Sequence, residues 1–424
     1  MKVFKFGGAS VKDAAGVRNL ASIVERYSDD LVIVVSAMGK TTNALELLTK
    51  NYFNGNMDGI LQNMDALKLF HFEIIEKLFG DHSYEINHEL TAVFKSLEKR
   101  LKRSVSLDYD FEYDQIVSFG EIFSTKITSA YLIFTGIGNK WMDIRRGLRT
   151  DATWREGNVD WELSSGLIQS QFNFTENRIY LTQGFIGATV TDQTTTLGRE
   201  GSDYSAAVIA NILNAESVTI WKDVPGIMNA DPNKFALTQK LDMLSYREAV
   251  EMTYYGAKVI HPKTMKPLVE KNIPLYVRSF MQPEQQGSVI CSIDHVMNYV
   301  PVFIVKEDLI LVTISPLDFS FMAEESMSEI YRLIAQFRMK VNLVQQSAMN
   351  FSVAIDRPER GFDKLIVELK KKFVVRYNEG LELLTIRYYN EDVITKMISG
   401  RSVFVAQRTR TTARFLIKEL ETLT

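Results

Sequence analysis

The order of apolar and polar positions predicts strands that alternate with helices over the first two thirds of the chain. Short apolar, partly β-branched runs such as KVFKF (2–6) and LVIVVS (31–36) are typical of buried strands. Other segments repeat apolar residues at helical spacing, as in 16–28 and 202–215. Buried strands that alternate with helices form parallel sheets with both faces covered. The pattern therefore predicts an α/β fold with a mainly parallel central sheet between helices.

The same criteria apply to the rest of this region. Apolar residues recur at helical spacing over 115–136 and stop at Gly136, so we expect one helix there. Residues 44–104 are rich in helix formers and are expected to be helical as well. The remaining predicted elements are strands at 179–187, 217–224 and 274–280 and helices at 244–256 and 261–272.

The pattern changes near residue 287. Four strands and two helices are predicted there in the order β-α-β-β-α-β, which defines a ferredoxin-like unit. Their ranges are 308–315, 326–339, 340–347, 351–356, 361–373 and 374–378. A second, shortened copy is expected from residue 381 onwards. Because the boundary is predicted within 281–288, the expected domains are residues 1–287 and 288–424.

Composition excludes several classes of protein. The 424 residues carry a net charge of −3 without a basic stripe, so we expect no nucleic-acid partner. No apolar run reaches the roughly 18 residues of a membrane helix, and the N-terminus lacks the apolar core of a signal peptide. The single cysteine, Cys291, excludes an intrachain disulfide and fits a reducing compartment. We therefore expect a cytoplasmic protein without membrane contacts. The five scattered histidines form no H-E-x-x-H pair, which argues against a histidine-bound zinc.

Gly39, Lys40 and Thr41 follow a predicted strand, as the end of a P-loop does. A P-loop requires G-x-x-x-x-G-K-[ST], and its first glycine would fall on Val34 inside that strand. The connection is too short to wrap a phosphate, so we do not expect a P-loop here.

A better candidate for phosphate binding is KFGGAS, which joins the first strand to the first helix. Gly7 and Gly8 lack Cβ atoms, so backbone amides can approach an anion closely. Lys5 ends the strand where its ammonium can reach a phosphoryl group. Ser10 is predicted to cap the helix, whose N-terminus adds a positive potential. An ordinary strand-to-helix turn with a surface lysine would have the same sequence features.

Charged residues also mark the start of a later predicted helix. In GREGSDYSA (198–206), Arg199 can hold a carboxylate through two hydrogen bonds. Asp203 can orient a lysine or a metal-bound phosphate. Ser202 suits a helix cap, and the cap and the binding role are compatible.

Two lysines and an aspartate lie at predicted loops near strand ends. Lys222 and Asp223 end a strand, and ligands bind where parallel strands end. Lys258, in GAKVIHP, is a flexible cation suited to phosphates, although a solvated loop lysine is equally compatible with its position.

Taken together, these segments resemble the aspartate kinases of the amino-acid kinase superfamily. The C-terminal unit resembles the ACT regulatory domains of such kinases, and SAMGKTTN resembles their substrate loop. The segments that carry the resemblance are KFGGAS (5–10), VVSAMGKTTNAL (34–45), SFGE (118–121), LRTD (148–151), TQGFIG (182–187), TTTLGREGSDYSA (194–206), WKDVPGI (221–227), ADP (230–232) and GAKVIHP (256–262).

The resemblance implies transfer of the γ-phosphoryl group of ATP to the side-chain carboxylate of L-aspartate, the first step towards lysine, threonine and methionine. It implies Mg2+ carried on the phosphates without a dedicated protein cage. It assigns catalysis to Lys5 and Asp203. It assigns substrate binding to Thr42, Glu121, Phe185, Arg199 and Ser202. It assigns nucleotide binding to Lys5, Gly7, Gly8, Ser10, Lys222, Asp223 and Lys258.

Glu121 has an alternative, since a glutamate on an apolar helix face could pair with a structural arginine. The chain also departs from the family pattern at Ala9, Glu200, Lys222 and Asn233. In the C-terminal unit, Asn342 and Ala348 replace acids of lysine-sensitive members, which argues against lysine as the effector.

The resemblance further implies a homodimer formed through the ACT regions, and an amino-acid effector is a further expectation. Two other functions remain open at this point: a sibling kinase that acts on another carboxylate or on UMP, and a non-catalytic amino-acid sensor.

Overall fold

The computed structural model describes residues 1–257, 260–293, 300–318, 320–358 and 360–419. The chain divides into two compact units. The first contains Met1–Ile227, Lys240–Val250 and Val259–His295, and the second contains Met228–Gln239, Glu251–Lys258 and Val296–Thr424. In the part of the chain described here, no helix is both long and apolar enough to cross a bilayer.

Residues 1–291 form strands and helices, several of which follow others of the same kind directly. The strands are β1 (Lys2–Phe6), β2 (Leu31–Val35), β3 (Lys140–Met142), β4 (Ile179–Gln183), β5 (Ile186–Ala188), β6 (Thr194–Thr196), β7 (Ser217–Lys222), β8 (Ile227–Met228), β9 (Lys240–Leu241), β10 (Met243–Ser245), β11 (Leu275–Ser279) and β12 (Ser288–Cys291). The helices are α1 (Ala14–Glu25), α2 (Thr41–Phe53), α3 (Met57–Phe79), α4 (Tyr84–Leu101), α5 (Tyr109–Val117), α6 (Phe119–Phe134), α7 (Trp161–Gln171), α8 (Gly201–Ile212), α9 (Tyr246–Tyr255) and α10 (Pro262–Glu270).

The first unit is built on an eight-stranded sheet in the order β10-β12-β11-β7-β1-β2-β4-β3. Every neighbouring pair is parallel except β11 and β12. The predicted α/β fold with a mainly parallel central sheet is therefore confirmed. All residues of β2 and β4 are buried, because helices leave no face of these strands in water.

The strands at the centre of this sheet end together. Phe6 pairs with Val35 on one side and with Trp221 on the other, and Val35 pairs with Gln183 of β4. The loops that follow β1, β2, β4 and β7 therefore leave from one edge of the sheet. Ligands of open α/β sheets bind at this kind of edge.

Aromatic side chains fill the core beneath that edge. Phe4, Phe6 and Trp221 are buried, and the Phe6 and Trp221 rings stack with centroids 6.0 Å apart. Phe280 meets Phe6 edge to face at 6.0 Å. Large, fully buried rings contribute heavily to stability, so the ends of these strands are held by a tightly packed core.

Three predictions for this unit are wrong in detail. The N-cap of α8 is Glu200, whereas Ser202, which the sequence suggested as the cap, is the second residue of the helix. The single helix expected over 115–136 is two helices, α5 and α6, which meet at Ser118. The helix after β1 is capped by Asp13 rather than Ser10: Asp13 is extended, and its carboxylate accepts the Gly16 amide at 2.8 Å. The Ser10 hydroxyl instead donates to the Trp221 carbonyl at 3.4 Å.

The second unit contains a six-stranded sheet in the order β14-β15-β13-β16-β18-β17, with all neighbours antiparallel. Its strands are β13 (Val302–Pro316), β14 (Val341–Gln346), β15 (Phe351–Asp356), β16 (Phe373–Arg387), β17 (Arg401–Arg408) and β18 (Thr412–Glu419). Its helices are α11 (Glu324–Gln336), α12 (Phe362–Lys370) and α13 (Glu391–Ile398). The β-α-β-β-α-β order predicted from the sequence is therefore present.

The two copies in this unit share strands. The second half of β13, the strands β14 and β15, and the first half of β16 form the first copy. The first half of β13 pairs with the second half of β16, which pairs in turn with β18. The sequence pattern missed this start of β13 because it placed the strand at 308–315. A register shift between Lys306 and Leu309 separates the halves, so the shortened copy is completed by a strand that precedes the first.

Candidate active site

An ion pair between Lys5 and Asp203 lies at the shared edge of the sheet. Lys5 is the penultimate residue of β1, and Asp203 lies in the first turn of α8. Lys5 Nζ is 2.6 Å from Asp203 Oδ1, and the two side chains are only 11% and 4% exposed. Charges removed from water in this way must be paired. The structure thus joins the two residues to which the resemblance assigns catalysis.

Gly8 allows the loops after β1 and β2 to touch. A Cβ atom on Gly8 would lie 2.4 Å from the carbonyl oxygen of Ala37, closer than any side chain tolerates. The Gly39 amide donates to the Gly8 carbonyl at 3.0 Å. A Cβ atom on Gly7 would lie 3.5 Å from Lys5 Nζ, so the backbone of Gly7 passes close to the ammonium. The proposed phosphate loop and the proposed substrate loop are therefore neighbours.

A second close approach brings the loop after β4 to the start of α8. A Cβ atom on Gly184 would lie 2.5 Å from that of Ser202, and one on Gly201 would lie 2.7 Å from the Phe185 ring. Phe185 has a left-handed backbone with φ of 68°, and its amide donates to the Ser205 hydroxyl at 2.9 Å. Phe185 and Ser202 therefore belong to the same cluster as Asp203.

Arg199 lies in the loop between β6 and α8. Its side chain is exposed, and over the described ranges it makes no ion pair within 4 Å. The next residue, Glu200, is left-handed with φ of 54°, and its carboxylate accepts the His261 amide at 2.9 Å. Glu200, which departs from the family pattern, therefore adds a carboxylate to this loop, and the His261 amide is its partner. Among the described residues no partner occupies the guanidinium of Arg199, so its donors are available for a ligand.

Glu121 is 2% exposed and lies in the first turn of α6. Its Oε1 accepts the Ala37 amide at 3.3 Å, whereas Oε2 has no hydrogen-bond partner among the described residues. Burial raises the pKa of this carboxyl from 4.5 to about 8, against the smaller opposing effect of the Ala37 amide. No arginine forms an ion pair with it in the ranges that the structure covers, so the structural alternative raised by the sequence gains no support. A buried carboxyl with an unsatisfied oxygen suits an ammonium ligand.

Thr42 is half-buried in the first turn of α2, at the end of the segment that resembles the substrate loop. Its neighbour Thr41 donates to the Met38 carbonyl at 2.6 Å and lies 3.4 Å from Nε2 of His71. His71 is fully buried, and desolvation lowers its pKa to about 4, so the ring is neutral. The sequence suggested no role for His71. The structure places it beneath the substrate loop, which only the packing of α3 against α2 could reveal.

The end of β7 reaches the phosphate loop through Ser10. The Ser10 hydroxyl bonds to the Trp221 carbonyl, so Lys222 and Asp223 follow directly beside it. Lys222 is half-buried and Asp223 is exposed. Lys258, the third candidate for nucleotide binding, lies outside the described residues.

Asp114 is a further site residue that the sequence did not indicate. It is fully buried in α5, and its carboxylate accepts the Thr196 hydroxyl at 2.6 Å, the Thr196 amide at 3.0 Å and the Arg155 amide at 2.9 Å. Burial raises its pKa to about 6 despite these hydrogen bonds. Asp114 thus holds the end of β6, from which the loop to Arg199 departs. The sequence did not indicate this role, because Asp114 is one aspartate among several polar and apolar residues of its helix.

The donors at this edge suit a phosphate group rather than a bare metal ion. In the part of the chain that the structure describes, no group of three or more His, Cys, Asp or Glu side chains could hold a metal. Lys5, the Ser10 hydroxyl and the amides near Gly7 and Gly8 are donors, which favour anions. Two other residues of the candidate site are Glu121 and Arg199, whose Oε2 and guanidinium have no hydrogen-bond or ion-pair partner among the described residues.

The fold and this edge of the sheet define a kinase of small molecules. Residues 1–279 match the amino acid kinase family, and the chain belongs to that family. It is 29% identical over 410 residues to lysine-sensitive aspartokinase 3 of Escherichia coli K12, covering 95% of this chain and 90% of the relative.

Two solved structures of E. coli aspartokinase III resemble the whole chain. The complex with lysine and aspartate gives a TM-score of 0.82 at 26% identity, with 98% of this chain and 95% of the other covered. The complex with aspartate and ADP gives a TM-score of 0.81 at 26% identity, with 98% and 96% covered.

Proposed function

We propose that this protein is an aspartate kinase, which transfers the γ-phosphoryl group of ATP to the side-chain carboxylate of L-aspartate. The observation that carries the proposal is the buried Lys5–Asp203 pair, linked through hydrogen-bonded loops to the unsatisfied carboxyl of Glu121. The E. coli relative with which the whole chain aligns has been solved with aspartate and ADP.

Each charged group of aspartate has a matching group at the site. Glu121 accepts the α-ammonium, because its Oε2 has no hydrogen-bond partner among the described residues. Arg199 holds the α-carboxylate through paired N–H donors. Thr42 and Ser202 add hydroxyl hydrogen bonds, and the Phe185 ring forms the wall beside Gly201. This arrangement leaves the β-carboxylate to face the phosphate loop.

The nucleotide binds along the other side of the same edge. The amides of Gly7 and Gly8 contact the phosphates, and the Ser10 hydroxyl exchanges its 3.4 Å contact with the Trp221 carbonyl for one with a phosphate oxygen. Lys222, Asp223 and Lys258 serve the nucleotide. Mg2+ bound to the phosphates of ATP would neutralise part of their charge. The residues of the chain then position the reacting atoms.

The β-carboxylate is ionised at neutral pH, so the reaction requires no general base. One carboxylate oxygen attacks the γ-phosphorus while the bond from this phosphorus to the β–γ bridging oxygen breaks. The electron pair leaves with ADP, and 4-phospho-L-aspartate remains. Lys5 has three N–H donors, so it can keep Asp203 and still contact the γ-phosphoryl oxygens as their charge is redistributed.

The C-terminal unit, for which the sequence predicts residues 288–424, is the regulatory part in this proposal. We assign it an amino-acid effector site and a homodimer interface, and we place the enzyme in the cytoplasm. Lysine fits poorly as an effector at this position, because the Asn342 side chain already contacts Lys306 at 2.7 Å and Asp356 at 2.8 Å. A basic effector would meet Lys306 at this position.

A trapping assay tests the proposed reaction. The protein is incubated with ATP, Mg2+ and hydroxylamine, which converts an acyl phosphate to a hydroxamate, in the presence of L-aspartate, L-glutamate, N-acetylglutamate or UMP. We expect hydroxamate from L-aspartate alone and no ADP release with UMP. Hydroxamate from another acid identifies a sibling kinase, and UMP-dependent ADP release a nucleotide kinase. Aspartate binding without turnover by any substrate identifies a sensor.

A further inference from the structure

Glu200 occupies a strained position at the start of α8. Its φ of 54° is left-handed, a conformation that costs free energy for any residue with a Cβ atom. The amides of Asp203 and Tyr204 donate to the Glu200 carbonyl at 3.0 and 3.2 Å. Glu200 is therefore the N-cap of α8, and it lies next to Arg199 at the end of the loop that precedes this helix.

The side chain of Glu200 reaches a second helix. Its Oε2 accepts the amide of His261 at 2.9 Å, and His261 is the N-cap of α10. The first amides of a helix lack partners within the helix and favour a negative charge. The carboxylate therefore gains a charge-assisted hydrogen bond that a glycine at this position could not form.

The first turn of α10 also contacts Leu197, which precedes Arg199 in the same loop. Lys263 donates to the Leu197 carbonyl at 3.3 Å, and its ammonium lies 4.8 Å from the centroid of the Tyr204 ring. Leu197 and Glu200 flank Arg199 on both sides in sequence. The start of α10 thus holds the arginine loop, defined here as residues 197–200, at two points.

We propose that Glu200 is a positioning residue, which acts through the start of α10 to hold Arg199 in the orientation that binds the acidic substrate. The inference rests on the proposed function in one respect, the role of Arg199. A positioning role predicts a selective effect on the substrate amino acid, because the phosphate loop and Lys5 belong to other elements.

Kinetics of three variants test the inference. Glu200→Ala removes the acceptor and keeps a Cβ atom in the left-handed backbone, so we expect KM for aspartate to rise about tenfold, with KM for ATP and kcat changed less than about threefold. Glu200→Gln retains a carbonyl oxygen as acceptor, so KM for aspartate should return to within about threefold of the wild-type value. Glu162→Gln, an exposed glutamate in the first turn of α7, is the matched control and should change nothing.

A measurement without substrate separates the inference from the proposed function. Hydrogen exchange of a peptide covering residues 197–204 should be faster in Glu200→Ala than in wild type, and close to wild type in Glu200→Gln. If wild type makes no hydroxamate from aspartate, the proposed function fails, while the exchange result still reports whether Glu200 holds the loop.

A double variant tests whether the contacts made by Glu200 and by Lys263 hold the same loop. Lys263→Met removes the contact with the Leu197 carbonyl, and its effect on KM for aspartate should combine with that of Glu200→Ala less than multiplicatively. The inference is overturned if KM for aspartate in Glu200→Ala stays within about twofold of wild type, or if exchange of the loop is unchanged. It is also overturned if KM for ATP rises as much as KM for aspartate, which would indicate general disruption of the site.

Discussion

Glu121 accepts the amide of Ala37 with one carboxyl oxygen, while its other oxygen, equally buried, has no partner in the described residues. The helix that carries Glu121 is thereby joined to the loop that resembles the family's substrate loop. The same loop is bonded to Gly8, two residues after the end of β1. This relationship links a carboxyl group of raised pKa to the proposed substrate loop, and two predictions on pH dependence follow from it.

We predict that aspartate binding releases protons. Burial raises the pKa of Glu121 to about 8, so the free enzyme holds this carboxyl mostly protonated at neutral pH. The α-ammonium of aspartate favours the ionised form, and the proton must leave when the ligand binds. Calorimetry in buffers of different ionisation enthalpy should find release approaching about one proton per site near pH 7. Glu121→Gln should bind weakly and release none. Binding to wild type without proton release would contradict the assignment.

The same pKa predicts how stability changes with pH. The folded-state pKa lies above the ordinary value of 4.5, so Glu121 contributes most to stability below pH 4.5. That contribution is lost as the pH rises through about 8. Glu121→Gln cannot ionise, so its Tm relative to wild type should increase between about pH 5 and pH 8.5. Differential scanning fluorimetry measures the difference, and a constant difference would argue against a raised pKa.

Removal of the Lys5 ammonium should affect the chemical step. We expect Lys5→Ala to lower kcat by about 10²–10³, the scale for loss of one preorganised transition-state contact. The variant leaves Asp203 buried without its partner and should also lose about 3–5 kcal/mol of stability. Lys5→Ala with Asp203→Ala, which removes both charges, should recover stability but not kcat. A folded Lys5→Ala enzyme that loses less than about tenfold in kcat would refute the catalytic role.

Arg199 should act on substrate binding alone. Its side chain is exposed, so Arg199→Ala should leave Tm nearly unchanged while KM for aspartate rises. Arg199→Lys should restore little, because an ammonium cannot form the paired contacts of a guanidinium. Steady-state kinetics with each substrate varied in turn provide the check. An unchanged KM for aspartate together with lost ATP binding would show that Arg199 belongs to the nucleotide site.

The approach of Gly8 to Ala37 predicts a steric effect. Gly8→Ala would place its Cβ atom 2.4 Å from a backbone oxygen, so the loops must separate. We expect a loss of about 1–3 kcal/mol in the free energy of unfolding, together with a fall in activity. Gly138→Ala is the control, since a Cβ atom there would meet nothing within 4 Å. Equal stability of the two variants in denaturant titrations would contradict this packing.

Many of the residues at the site were accessible from the sequence. The motifs around Lys5, Phe185 and Asp203 lie near the ends of predicted strands or at the start of a predicted helix. Parallel strands place their ends at one edge, so the edge that gathers these residues could be inferred before any coordinate was known. The family resemblance implied that Asp203 acts with Lys5, whereas the residues alone allowed Asp203 to orient either a lysine or a metal-bound phosphate.

Other features depended on contacts between residues far apart in the chain. The break at Ser118 interrupts a pattern that is helical on both sides, so periodicity did not reveal it. Asp114 and His71 gain their roles from burial against segments distant in sequence. Glu200 was visible only as a departure from the family pattern until its contact with His261 gave it a partner.

The sequence by itself determined the order of the elements, the parallel sheet and the identity of the loops at its edge, because periodicity and glycine placement are local properties. Only the tertiary structure decided which carboxyl groups are buried, which of them have partners, and how two copies of the C-terminal unit share β13 and β16. The protonation of a carboxyl group and the pairing of a strand depend on what surrounds them, and residues close in sequence supply only part of those surroundings.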